Sequence, residues 1–272
     1  MPNLYASLAD IKATLGGITG TTRDAELLSL LEDISRAIDE ETGRHFYSVI
    51  ATRLYDGSGN DKLWLFDDLI SVTTLKVDED GDLVYEKTLT ANTDYWLYPD
   101  NPLANTPYYR IDINPESSNI SAFPSGRRRV QLVGKFGYSE ETQSAGTLGA
   151  AILNATDTSV TMLAGHSVNA GDTIIVDSEQ MYVSAVATNT LTVTRGVNGT
   201  TAAAHSNGAA VSKRRYPRPI ERAVLLQVAR FHQEGQTGFS GQLASPELGS
   251  HFSALYPAIR DLINPLRLLT LA

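Results

Sequence analysis

The feature that most constrains this chain is a change of hydrophobic period along its length. Near both ends, apolar residues recur at three- and four-residue spacing, which indicates amphipathic helices. Between about 46 and 215 they alternate or form short branched runs, which indicates strands. Helices are therefore predicted at 7–15, 21–43, 219–235 and 245–265. We expect an α+β fold with helices contributed by both ends.

The β-rich middle divides into two parts. The part from Phe46 to Tyr138 predicts a small, mostly antiparallel sheet or barrel. The part from about 141 to 212 is rich in Thr, Val and Ile, with Gly- and Asn-containing turns, and predicts a small all-β barrel or sandwich. We expect a core made of 1–140 and 213–272, interrupted by an inserted β-rich domain at 141–212.

Composition excludes several classes of protein. The 272 residues contain no cysteine, which excludes a disulfide framework, a thiolate zinc site and a cysteine nucleophile. No stretch approaches the roughly 18 apolar residues of a membrane span, and the first 15 residues lack the apolar region of a signal peptide. We expect a soluble protein that binds no membrane. The net charge of −9 counts against wrapping of nucleic acid by neutralised phosphates.

No motif in the chain carries recognisable catalytic or metal chemistry. None of the five histidines has a metal-ligand spacing, and no Gly-x-Ser-x-Gly elbow is present. The acidic run from Asp78 to Asp82 resembles the start of a calcium loop, but Leu83 and Leu89 stand where an EF-hand needs Gly and Glu. His205 is predicted to be a surface residue of a loop. We predict no catalytic residue, no metal and no cofactor, and therefore not an enzyme.

Charged clusters and an apolar tail are the candidate contact sites. The second helix carries acidic residues on its outer face, and these are Glu26, Glu32, Asp33, Asp39 and Glu40. Most such helix faces are simply solvated. Two basic clusters and the C-terminal tail are candidate protein contacts, and their residues are Arg127, Arg128, Arg129, Arg214, Arg215, Pro265, Leu266, Arg267, Leu268, Leu269 and Leu271.

Four segments together resemble a known family. These are Arg53 to Gly59 with Leu63 to Leu65, Val130 to Tyr138, Pro217 to Arg230, and Leu262 to Arg267. Their order after an N-terminal helical hairpin is similar to that of the head-tail connector (adaptor) proteins of tailed bacteriophages, over about three-quarters of the chain. In that family the strand ending in Gly-Tyr passes almost directly into the Pro-led helix. The block between them therefore looks inserted.

The resemblance implies a structural virion protein of the phage neck. It implies a helical bundle and a ring, usually dodecameric, that joins the portal protein to a stopper or tail-completion protein and surrounds double-stranded DNA during genome packaging and ejection. The acidic helix face would line the channel, and the basic clusters and tail would contact the portal or a neighbouring subunit. The protein would then be found in the virion, and in the host cytoplasm during assembly.

Two alternatives of other classes remain. The β insert could decorate the virion or bind a carbohydrate or host surface. The chain could also be a carboxylate-based hydrolase, whose signature would be a pocket that brings together carboxyl groups with raised pKa values.

Overall fold

The computed structural model describes residues 3–103, 106–237 and 255–268. The chain divides into two compact units: Met1–Gly43 with Thr142–Ala272, and Arg44–Glu141. Each unit contains one six-stranded antiparallel sheet. Four α-helices are described, and all belong to the first unit: α1 (Leu8–Thr14), α2 (Asp24–Thr42), α3 (Arg218–Thr237) and α4 (Pro257–Ile263).

The predicted α+β fold built on a helical bundle is wrong, because the protein is mostly β. Two of the four helices have only 7 residues, α1 and α4, so they offer too little surface to form a bundle. The helices do pack on one another, α3 against α1, α2 and α4. However, the N-terminal segment is also bonded to loops of the adjacent sheet. The Leu8 amide donates to the Ala170 carbonyl at 2.9 Å, and the Asn3 and Asn198 side-chain amides are bonded to each other while buried.

Three of the predicted helices are found, with ends within three residues of the predicted ones. The Ser7 side chain caps α1 and the Asp10 carboxylate returns a bond to the Ser7 amide, which forms a capping box. Helix α2 ends at Gly43, which takes the left-handed conformation with φ of 67°. The apolar stripe of α2 is buried as predicted, and it includes Leu27, Leu31, Ile34 and Ile38. Of the fourth predicted helix, the part before residue 255 lies outside the described residues.

The second unit is built from six strands around one apolar core. They are β1 (Val49–Gly57), β2 (Lys62–Val77), β3 (Lys87–Leu89), β4 (Tyr95–Tyr98), β5 (Tyr108–Ile113) and β6 (Gly126–Phe136). The order is β1-β6-β2-β5-β4, and β3 also pairs with β2. Alternating residues such as Leu75, Ile111, Val130 and Leu132 are fully buried in the core.

Strand β6, which pairs with a neighbour on each side, needs a glycine near its C-terminal end. Gly134 lies opposite Ala51 of β1 on one side and Val72 of β2 on the other. A Cβ atom on Gly134 would stand 2.3 Å from the Ser71 carbonyl oxygen, which is far inside contact distance. The close approach of the two strands therefore excludes a side chain at this position.

The sheet of the first unit is formed by the block that interrupts the helices. Its strands are β7 (Thr142–Thr147), β8 (Ser159–Thr161), β9 (Thr173–Val176), β10 (Glu179–Ala187), β11 (Thr190–Thr194) and β12 (Ala210–Arg214), in the order β7-β12-β9-β10-β11-β8. The first and last strands pair, with Thr142 opposite Arg214. The block therefore ends beside the point where it begins.

Replacing Gly134 by alanine tests the close approach in the second unit. We expect Gly134→Ala to destabilise that unit by roughly 1–3 kcal/mol, because the added methyl group must push the β2 backbone away. The measurement is chemical unfolding in urea, followed by tryptophan fluorescence, since both tryptophans lie in this unit. Gly20→Ala is the control, because a Cβ atom at Gly20 meets nothing within 4 Å. Equal midpoints for the two variants would contradict the argument.

Candidate functional site

A buried carboxylate organises the end of the first unit's sheet where β10 begins. Glu179 is 1% exposed, and its two carboxylate oxygens accept bonds from Arg195 Nε at 2.7 Å and Arg195 Nη2 at 2.8 Å. Nε2 of His205 lies 2.8 Å from the same carboxylate, and Nδ1 of His205 lies 2.7 Å from Asp177. We call Glu179, Arg195 and His205 the buried network, and the exposed Asp177 bonds to it from outside.

The buried network fixes the long loop that follows β11. The Glu179 carboxylate also accepts from the backbone amides of Gly196 and Ala203, each at 3.0 Å. Burial pushes the pKa of Glu179 upwards, but the bonds from Arg195, His205 and the two amides outweigh it and lower the pKa to about 2. The charged groups of the network are bonded to one another and to backbone amides of the loop, so the network is suited to keeping the loop in one conformation.

His205 was predicted to be a surface residue, and that prediction is wrong. Its side chain is buried, at 6% exposure for the residue, between the two carboxylates. No local pattern predicts this burial, because Glu179 and Arg195 lie 16 residues apart and His205 lies a further 10 residues on. The only local signal was a charged residue, Glu179, at the start of a strongly apolar strand.

A second feature of the first unit is a polar cavity of about 440 Å³ at the start of α3. We call it the arginine cavity. It is lined by the N-terminal segment from Leu4 to Ser7, by residues of β9 and β12, and by one face of α3. Its charged lining residues are Asp10, Asp172, Lys213, Arg214, Arg215, Arg218, Glu221 and Arg222.

Two carboxyl groups of the arginine cavity are engaged in local bonds. Asp172 accepts from Lys213 Nζ at 3.0 Å and from the Asn169 amide at 2.8 Å. Glu221 accepts from the Tyr216 amide at 3.4 Å. Burial raises the pKa of both carboxyl groups, and it outweighs the opposing effect of these partners. The cavity therefore has the signature that the hydrolase alternative requires.

A third charged feature is the loop between β2 and β3, residues 78–86, which we call the acidic loop. Its Asp80, Asp82 and Glu86 are exposed, and their carboxylates lie within 4.8 Å of one another and of the buried Asp78. The Asp78 carboxylate accepts from the amides of Gly81 at 2.6 Å and Leu83 at 3.0 Å. Arg129 Nη1 also lies 3.1 Å from Oδ1 of the Asp78 carboxylate. Asp78 thus serves the loop's own folding.

The predicted acidic face of α2 is only partly exposed. Glu26, Asp33 and Glu40, spaced seven residues apart, are exposed, and Glu32 is half-buried. Asp39 is buried: its carboxylate accepts a short hydrogen bond from the Tyr5 hydroxyl and pairs with Arg36 at 3.1 Å. The structure therefore places Asp39 in the interior and not on the exposed face.

The first predicted basic cluster splits into exposed and paired residues. Arg127 and Arg128 are exposed, whereas Arg129 pairs with Asp78. The second cluster stays together, because Arg214 and Arg215 both line the arginine cavity.

The C-terminal tail packs back on α2 over its described part. Pro265 is exposed and Leu266 is half-buried, while Arg267 Nη1 lies 3.6 Å from the Glu41 carboxylate. The Leu268 amide donates to the Thr42 carbonyl at 2.8 Å. The remaining predicted tail contacts, Leu269 and Leu271, lie outside the described residues.

Comparisons with known proteins give one structural likeness. No family model matches the chain, and no curated protein matches it. A solved chain described as "Neck of empty GTA particle computed with C6 symmetry" is 15% identical, with a TM-score of 0.43. The similarity covers 98% of this chain and 92% of that one. Among the described helices, none is both long and apolar enough to cross a membrane.

Removing the central charge of the buried network tests its structural role. We expect Glu179→Gln to lower the free energy of unfolding at pH 7 by about 3–5 kcal/mol, because Arg195 loses its buried partner. The pKa of Glu179 is about 2 in the folded protein and 4.5 ordinarily. This stabilisation is therefore complete above about pH 4.5 and is lost as the pH falls towards 2.

The difference between the wild type and Glu179→Gln should accordingly shrink below pH 4.5. The measurement is the free energy of unfolding in urea between pH 3 and 7. The exposed Glu116 provides the control, since Glu116→Gln should change little at any of these pH values. A difference that stays constant with pH would show that the carboxylate charge is not what stabilises the loop.

Proposed function

We propose that this chain is a structural protein of the neck of a phage-like particle. It forms a ring, of the twelvefold type that its sequence resemblance implies, and this ring joins a portal protein to a stopper or tail-completion protein. Double-stranded DNA passes through the ring without tight binding. The proposal takes its starting point from the four segments that resemble head-tail connector proteins, at Arg53–Gly59 with Leu63–Leu65, Val130–Tyr138, Pro217–Arg230 and Leu262–Arg267.

The observation that carries the proposal is the pairing of the first and last strands of the β block. Because Thr142 of β7 lies opposite Arg214 of β12, the first and last residues of the block lie next to each other. Directly opposite residues of an antiparallel pair lie only about 5 Å apart. A connector-like chain can therefore accept the block without separating the two points at which the block joins the rest of the chain. This supports treating 141–212 as an insertion into a connector core.

The exposed acidic stripe of α2 fits a channel through which DNA moves. Glu26, Asp33 and Glu40 form one line along the helix, so a ring that turned this line inwards would present repeated carboxylates to the DNA. Carboxylates repel phosphates, whereas a basic lining would hold the DNA in a strongly salt-dependent way. A negatively charged lining would therefore let the DNA pass without binding it tightly.

The hydrolase alternative is favoured by one observation, the raised pKa of Asp172 and Glu221 in the arginine cavity. We assign these groups a structural role instead. Lys213 and the Asn169 amide hold the Asp172 carboxylate, and Glu221 accepts from the Tyr216 amide at the start of α3. Both carboxylates thereby join β12 and α3 to their surroundings.

The test is the native mass of the purified protein, alone and mixed with the portal protein encoded in the same genome. We expect a ring-sized species in at least one of the two samples, and electron microscopy of that species should show a central channel. The control is the same mixture made with an unrelated acidic protein of similar mass. A protein that stays monomeric in both samples would contradict the proposal.

A further inference from the structure

Three arginines of the arginine cavity carry a positive charge that no described residue pairs with. Arg218 and Arg222 are exposed and lie four residues apart, on one face of α3, and Arg215 precedes that helix. Arg215 and Arg218 act on the Glu221 carboxyl group only from a distance, by lowering its pKa against the larger effect of burial. Within the described residues, no ion pair or hydrogen bond engages the three guanidinium groups. Each guanidinium group therefore offers donors to an external anion.

The lining of the cavity limits the kind of anion that fits. Besides the arginines, the walls include Leu4, Tyr5 and Leu225, and they also include the carboxyl groups of Asp10, Asp172 and Glu221. These carboxyl groups would repel a continuous row of phosphates, as in a DNA backbone. A compact ligand that places a few carboxylates against the rim and apolar atoms towards the walls avoids that repulsion.

The acidic loop of the same chain combines carboxylates with exposed apolar side chains, as such a ligand must. Leu83 and Val84 are 57% and 58% exposed at its tip, although both are large apolar residues. Leu83 has φ of 69°, in the left-handed region that a residue with a bulky side chain rarely adopts. The exposed carboxylates of Asp80, Asp82 and Glu86 stand around this tip.

The acidic loop is also held in one shape before any partner binds. The Asp78 carboxylate accepts from the amides of Gly81 and Leu83, and Asp82 accepts from the Val84 amide at 2.7 Å. Lys87 pairs with Glu79 at the base of the loop. A loop that is already ordered loses little conformational entropy on docking, which favours association.

We propose that the acidic loop of one copy docks into the arginine cavity of a second copy of this chain. Arg215, Arg218 and Arg222 receive the carboxylates of Asp80, Asp82 and Glu86, while Leu83 and Val84 enter the cavity. The contact joins two different surfaces, so the copy that gives its loop keeps a free cavity, the copy that gives its cavity keeps a free loop, and further copies can add on both sides. Such heterologous contacts produce a closed ring when the rotation from one copy to the next closes on itself. The inference rests on the proposed function, since it names the contact between neighbouring subunits of the proposed ring.

The test uses two charge-reversed full-length proteins. The cavity variant is Arg218→Glu with Arg222→Glu, and the loop variant is Asp80→Arg with Glu86→Arg. The loop variant keeps Asp78 and Asp82, whose carboxylates accept from the amides of Gly81, Leu83 and Val84, and it loses only the longer bond from the Asp82 amide to Asp80 at 3.2 Å. All four replaced side chains are exposed, and thermal unfolding checks that each variant is folded. The native mass of each protein is measured alone, in an equimolar mixture of the two, and at low and high salt.

We expect neither variant to assemble alone, with association weakened at least about tenfold, because each presents like charges on its loop and cavity. The equimolar mixture should regain the ring-sized species. In it, the acidic cavity of one variant receives the basic loop of the other, and the unchanged loop and cavity also match. High salt should weaken the assembly of the wild type. The control, Arg23→Glu with Lys62→Glu, makes the same charge change on two exposed cationic side chains outside the cavity and the acidic loop, and it should assemble alone like the wild type.

Four results would overturn the inference. Variants that assemble alone like the wild type would show that the contact lies elsewhere, and the proposed neck function would stand. A mixture that stays unassembled while both variants are folded would do the same. A cavity variant that assembles normally but loses salt-dependent binding to duplex DNA would make the cavity a phosphate site. A wild type that forms no ring, alone or with the portal protein, would instead remove the proposed function together with this inference.

Discussion

The pairing of β7 with β12 is the constraint on which the first unit depends. It brings the chain back, after about 70 residues, to the place it left, so that α3 can begin beside the N-terminal segment. Helix α3 begins shortly after β12 and packs against α1 and α2. The same pairing places Lys213, Arg214 and Arg215 at the mouth of the arginine cavity. One antiparallel pair of strands thus determines both the packing of the helices and the position of the main basic cluster.

Local signals in the sequence predicted the secondary structure better than the architecture. The Ser7–Asp10 capping box, the left-handed Gly43 and the apolar stripe of α2 all depend on neighbouring residues, and each is found where expected. The helical bundle failed for a physical reason. A stripe at helical spacing shows that a face is buried, but it does not show whether the covering element is a helix or a sheet. Here the loops of a sheet, through residues such as Ala170, share that role.

The sequence predicted where charged residues cluster, but it did not predict which residues of each cluster are exposed and which are buried or paired. Asp39 and Glu40 are neighbours in sequence, yet Asp39 is buried against Tyr5 and Glu40 is exposed. Arg129 is paired whereas Arg128 is exposed. The partners in these cases lie more than 30 residues away, so no local pattern could separate the two members of each pair. The same limit hid the buried network, whose members come together only through the pairing of distant strands.

The bond from Leu268 to the last turn of α2 joins the two ends of the chain. The final carbonyls of a helix have no partner inside that helix, and the Thr42 carbonyl receives the Leu268 amide. Glu41, beside it, lies near both Arg260 and Arg267. The C-terminal residues therefore act as a cap on an N-terminal helix. A molecule that binds residues 266–268 and moves them away must also leave the Thr42 carbonyl without the Leu268 amide. Binding at the tail would therefore change the hydrogen bonding at the end of α2.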